Sequence, residues 1–91
     1  MKNPDWRIAV KFFTRQGCHL CEDARELLRE FEDEYALLIE EINILRAKQY
    51  YEQYKHTIPV LIIGEMQAIE SIITRDEIQR QIDAILDKRN Q

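Results

Sequence analysis

The sequence is poor in cysteine, proline and glycine, with two of each among its 91 residues, and it has a single tryptophan. Two cysteines exclude a small secreted scaffold stapled by disulfides, which carries about four or more. So few prolines and glycines leave no linker, internal repeat or low-complexity tract. Apolar runs such as Val60 to Ile63 end after four residues, far short of the roughly 20 needed to span a bilayer. A basic excess is also missing. Thirteen Lys and Arg face 17 Asp and Glu, for a formal charge of −4, so there is no electrostatic footprint for nucleic acid. Met1 to Arg7 is polar and interrupted by Pro4, which is not the pattern of a signal peptide. The expectation is a cytoplasmic protein with no membrane partner.

What is present is an ordinary globular mixture, 45% apolar and 33% charged, sufficient for one domain over residues 1–91. A chain of this size buries roughly two-thirds of the surface it exposes when unfolded. Arg7 to Thr14 is short, β-branched and aromatic, a strand. Gln16-Gly17 breaks it. Leu20, Ala24, Leu27, Leu28 and Phe31 then recur at helical spacing, predicting a helix over about His19 to Glu34. Leu37 to Ile44 reads as a second strand. Leu45 to Lys55, with Tyr50, Tyr51 and Tyr54, reads as a short helix whose tyrosines pack on the sheet. Val60 to Ile63 is a third strand, and Gly64-Glu65 fits a two-residue turn into a fourth from Met66 to Ile69. Thr74 and Glu77 form a capping box, with Ile73 able to staple onto Ile78. Ile78, Ile82, Ile85 and Leu86 give the last helix its buried stripe. The order is β-α-β-α-β-β-α, which implies an α/β fold with a mixed four-stranded sheet flanked by helices. Trp6, ahead of the first strand, is expected to be a packing residue.

The only cysteines, Cys18 and Cys21, fall between the first strand and the first helix. The first N–H groups of a helix have no partner within it and can donate to a thiolate. Cys18 at the extreme end receives those donors and the positive end of the dipole, which lowers its pKa below that of a free thiol. Cys21 lies one turn in, on the same face. Cys18 is therefore expected to be the nucleophile and Cys21 the resolving thiol. Arg15 and a protonated His19, with Lys11 and Arg25, would favour the thiolate, while Glu22 and Asp23 oppose it. The other reading of such a pair is half a zinc site, but structural zinc wants four ligands. Only His19 and His56 could add to the cysteines, so no metal is expected.

Pro59 at the entry to a central strand cannot donate to the ladder. A trans proline at the first strand residue or a cis Ile58–Pro59 bond would each meet this. Beside a helix-start cysteine pair the balance moves to cis.

Cys18-His19-Leu20-Cys21 after a strand, and Thr57-Ile58-Pro59-Val60 before a hairpin and a final helix, resemble the glutaredoxin branch of the thioredoxin fold. The similarity runs from roughly Ile8 to Leu86. It implies a thioredoxin fold and a thiol–disulfide oxidoreductase with Cys18 and Cys21 as the dithiol. Pro59 would be the cis-proline, and Thr57 and Ile58 the edge of a substrate groove that pairs with an extended peptide or glutathione. The implied partner is a disulfide-containing protein or a low-molecular-weight thiol. No cofactor need be bound, glutathione is a possible reductant, and a monomer is expected. Typical members carry Pro-Tyr between the cysteines and Gly-Gly-Asp after the hairpin. This chain has His19-Leu20, and Ile69-Glu70-Ser71 near the second stretch. There, backbone N–H groups near Ser71 would be exposed while Glu70 repels carboxylates. Two other roles fit the same resemblance: a redox-inert adaptor binding through the Ile58–Pro59 edge, and an iron–sulfur carrier ligating a cluster through Cys18.

Overall fold

A computed structural model describes residues 6–90; the reading of the N-terminal segment around Pro4 lies outside them. Strand β1 (Ile8–Thr14) leads to helix α1 (His19–Glu32), strand β2 (Leu37–Asn43), one 3-10 turn (Ile44–Arg46) and helix α2 (Lys48–Tyr54). Strands β3 (Val60–Ile63) and β4 (Ile69–Glu70) follow, and helix α3 (Arg75–Arg89) closes the chain. The sheet runs in the order β2-β1-β3-β4. β2 is parallel to β1, from Ile8 opposite Leu37 to Thr14 opposite Asn43. β3 is antiparallel to β1, with Val10 opposite Ile63 and Phe13 opposite Val60, and β4 is antiparallel to β3. This is the mixed sheet of a thioredoxin fold.

Strand alternation divides the core in two. Ile8, Val10 and Phe12 of β1 point to one face with Leu61 and Ile63, and meet Ala24, Leu28 and Phe31 of α1 and Ile78 and Ile82 of α3. Phe13 and Val60 point to the other face and meet Ile44 and Tyr54, with Tyr50 and Tyr51 at the rim. The ring centroids of Tyr50 and Tyr54 lie 4.8 and 4.7 Å from that of Phe13. The tyrosines pack as their spacing predicts.

Four local expectations are corrected. Helix α1 stops at Glu32, where the Tyr35 amide turns back to the Phe31 carbonyl at 2.8 Å. Its buried stripe is Cys21, Ala24, Leu28 and Phe31, so Cys21 takes the inward place and Leu20 stands 44% exposed. The hairpin turn does form at Gly64, which has φ +60, with the Met66 amide donating to the Ile63 carbonyl at 3.0 Å. The return strand starts only at Ile69, because the Gln67 carbonyl is claimed by the buried Gln81 side chain at 2.9 Å. Trp6 is 72% exposed, and the backbone there is held instead by Arg89, which donates to the Trp6 and Arg7 carbonyls.

Helix α3 begins at the predicted N-cap, but only the Thr74 half of the expected capping box forms, because Arg80 takes the Glu77 carboxylate. The Thr74 hydroxyl accepts from the Glu77 amide at 3.2 Å, and Ile73 packs against the cluster that contains Ile78. The Glu77 carboxylate accepts from Arg80 at 2.9 Å. Among the described residues, no helix is long and apolar enough to cross a membrane.

Candidate active site

Strand β1 ends at the buried Thr14, and Arg15, Gln16 and Gly17 carry the chain over to α1. Gly17 has φ +80, and a Cβ added there would meet nothing within 4 Å. Its glycine therefore answers to the backbone conformation and not to crowding. Cys18 is the N-cap of α1 in an extended conformation. Its sulfur fills the place that a Ser or Asp oxygen usually takes, accepting from the Cys21 amide at 3.1 Å. The two cysteines are joined as a disulfide with Cα atoms 5.1 Å apart, well inside the usual range for such a bond. The sulfurs are not equivalent. Cys21 is 1% exposed and belongs to the core, whereas Cys18 lies partly open at its edge. Only Cys18 is reachable from outside.

The second half of the site comes from the loop between α2 and β3. The amides of Thr57 and Ile58 both donate to the Tyr54 carbonyl, at 2.9 and 3.1 Å, and the Ile58–Pro59 bond is cis. Extending the β1–β3 register by one step puts Pro59 beside Thr14. Thr57, Ile58 and Pro59 therefore gather at the sheet end that presents Cys18 and Cys21, and Cys18 and Ile58 pack against one cluster.

Ser71, just past β4, was not singled out by sequence as a structural residue. It has φ +67; its hydroxyl donates to the Thr57 carbonyl at 3.1 Å and its amide to the Pro59 carbonyl at 2.8 Å. The Ile72 amide turns back onto the Glu70 carbonyl at 2.8 Å. The N–H groups expected to be exposed near Ser71 are thus both occupied. No composition or periodicity signal marks such a serine, because its role lies in contacts with a loop 14 residues earlier.

Arg15 and His19 are exposed at the helix start and make no side-chain hydrogen bond or ion pair among the described residues. Arg25 is not available to the sulfurs. Its Nε donates to Glu41 Oε1 at 3.2 Å and its Nη2 to Oε2, and the hydrogen bond to Glu41 raises its pKa above the ordinary value. His56 is exposed, and no group of three or more metal-ligating side chains forms among the described residues. A cleft of about 720 Å³ between Ile8, Gly64, Met66, Ile85 and Lys88 lies at the opposite end of the sheet and contains no thiol. The chemistry sits on an open rim.

The glutaredoxin-like domain (DUF836) family model matches residues 9–83, which include both cysteines and Pro59. The chain belongs to this glutaredoxin-like family. It is 33% identical over 85 residues to the "Glutaredoxin-like protein YDR286C homolog" of Dictyostelium discoideum, covering 87% of this chain and 79% of that protein. Among solved structures, protein Ne2328 of Nitrosomonas europaea superposes with a TM-score of 0.71 at 26% identity, over 89% of this chain and 98% of that one. Thioredoxin 1 of Thermosipho africanus superposes with a TM-score of 0.75 at 20% identity, over 91% of this chain and 99% of the other. The latter likeness is one of fold.

Proposed function

We propose that this glutaredoxin-like chain is a thiol–disulfide oxidoreductase working through Cys18 and Cys21. The observation that carries the reading is the asymmetry of the pair: Cys18 partly open under a helix N-terminal N–H, Cys21 1% exposed beneath it. In the reduced protein that N–H and the positive end of the α1 dipole favour the Cys18 thiolate, the attacking species in thiol–disulfide exchange. Cys18 attacks one sulfur of a substrate disulfide, forming a mixed disulfide and expelling the other sulfur as a thiolate. Cys21 then attacks the Cys18 sulfur and releases the second substrate thiolate. Two electrons pass to the substrate, the Cys18–Cys21 bond forms, and the two thiol protons end on the released thiols. The burial of Cys21 protects the resolving sulfur from outside disulfides and leaves it one productive target.

The substrate is a protein disulfide or a low-molecular-weight disulfide. Glutathione, another thiol or a reductase regenerates the dithiol, and no bound cofactor is required. A cytoplasmic monomer contributing to redox homeostasis fits this reading.

Intact-mass spectrometry across a series of reduced-to-oxidised glutathione ratios tests it. The protein should interconvert with loss of two hydrogens, with a midpoint near the roughly −270 to −200 mV of thioredoxin and glutaredoxins. Cys21→Ser should accumulate a persistent adduct on Cys18, and Cys18→Ser should carry none. A mass that never changes, while both thiols alkylate after unfolding, refutes the assignment.

A further inference from the structure

Five large apolar side chains are conspicuously exposed among the described residues: Trp6, Leu20, Leu38, Leu45 and Ile72. A single exposed leucine means little, but the placement of these is uneven. Leu20 lies between the two cysteines, exposed because Cys21 took the inward position on α1. Ile72, at 66% exposed, follows Ser71, the residue tied to Thr57 and Pro59. Leu45, at 53% exposed, sits on the turn leaving β2 just past Asn43, which is paired with Thr14 at the same sheet end. Trp6 and Leu38 belong to the opposite end, where β1 and β2 begin.

The N–H donors of this rim are already used, and the unpartnered hydroxyls of Thr14 and Thr57 are buried out of a ligand's reach. The amides of Thr57 and Ile58 go to Tyr54, that of Ser71 to Pro59 and that of Ile72 to Glu70, and the Ser71 hydroxyl goes to Thr57. Among the described residues, the Ile58 carbonyl is the one backbone polar group of residues 57–59 without a hydrogen bond, an acceptor for a substrate backbone N–H. Exposed Glu70 adds a negative charge on the Ser71 side, and exposed Glu22 and Asp23 offset Arg15 at the helix start. A ligand with carboxylates at both ends, as glutathione has, finds no free N–H donor at the Ser71 turn and meets acidic side chains. An uncharged polypeptide finds one acceptor and an apolar rim.

Resting on the oxidoreductase reading, we infer that the site selects polypeptide disulfides bearing an apolar residue beside the half-cystine and discriminates against glutathione disulfide. The substrate backbone pairs with Ile58 as the family resemblance already implies; what is new is the selectivity supplied by the apolar side chains beside it. The substrate's apolar side chain lies against Leu20 and Ile72 while Cys18 breaks its disulfide, with the electron and proton balance given above.

The test uses the full reduced chain and three probes, each followed by acid quench and mass. The first is the disulfide dimer of a capped, uncharged pentapeptide with leucine on both sides of its cysteine. The second replaces those leucines with serine, and the third is glutathione disulfide. The leucine peptide should oxidise the protein about tenfold faster than either other probe, as partial burial of one or two apolar side chains supplies. Leu20→Ser combined with Ile72→Ser should bring the leucine peptide down to the serine peptide's rate, whereas Leu38→Ser at the far end should leave the ratio intact. Equal rates for all three probes, or a faster reaction with glutathione disulfide, overturns the inference and leaves the redox assignment standing. Dithiothreitol, neutral and small, reports the dithiol chemistry without recognition. If it cannot open the Cys18–Cys21 bond, the redox assignment fails and this inference with it.

Discussion

Ser71 offers a paired experiment in which two substitutions at one position should behave differently. Its backbone sits at φ +67, a region that costs a residue with a Cβ about 1–2 kcal/mol. Its hydroxyl donates to the Thr57 carbonyl at 3.1 Å, and such a bond contributes about 1 kcal/mol net. Ser71→Ala removes the bond and keeps the backbone cost, so it should destabilise by about 1 kcal/mol, or about 4–8 °C in Tm for a domain of this size. Ser71→Gly removes the same bond but relieves the conformation. Part of that relief is cancelled by the extra freedom of glycine in the unfolded chain, and the sum should fall within about 0.5 kcal/mol of the parent. Urea titration of the disulfide form, with an unchanged m-value as the check on two-state behaviour, measures both. An alanine variant as stable as the parent would remove the hydrogen bond from the account. A glycine variant as unstable as the alanine one would remove the backbone cost.

Two further outcomes follow from the cap of α3 and from Tyr54. Thr74→Ala deprives the Glu77 amide of its acceptor and should lower stability by about 1 kcal/mol in the same titration. Burial raises the Tyr54 hydroxyl above its ordinary pKa of 10.0. The native state therefore holds this proton more tightly than the unfolded chain. Its contribution is fully present below pH 10 and is lost as the pH rises through the folded value. Urea midpoints taken at successive alkaline pH values should fall less steeply for Tyr54→Phe than for the parent; identical slopes would refute the assignment to Tyr54.

The parts legible in the sequence are those set by local rules. Strand β1, the α3 start at Thr74 and the packing of Tyr50 and Tyr54 follow from side-chain period and capping. Cys18 at a helix start was readable because Gly17 ends one element and the apolar spacing begins the next. What could not be read depends on partners distant in the chain. Gln81 draws off the Gln67 carbonyl and delays β4. Glu41 takes Arg25, 16 residues away, out of the redox neighbourhood. Only the first member of the α1 stripe differs from its spacing, Cys21 in place of Leu20, because both fit a helical period and only the sheet beneath decides which turns inward. Asn43, whose side chain accepts from the Leu45 amide at 2.9 Å, starts a separate turn that composition merges with α2.

The position of Trp6 decides how the redox state can be watched. The single indole stands in solvent beyond the start of β1, and the sulfurs lie past the other end of that strand. The seven residues of β1 alone separate them by about 20 Å. Disulfides quench indole emission by near contact, so opening the Cys18–Cys21 bond leaves tryptophan fluorescence almost unchanged. Steady emission during turnover is thus no sign of inactivity, and a optical assay needs a new indole at the cysteine end of the sheet.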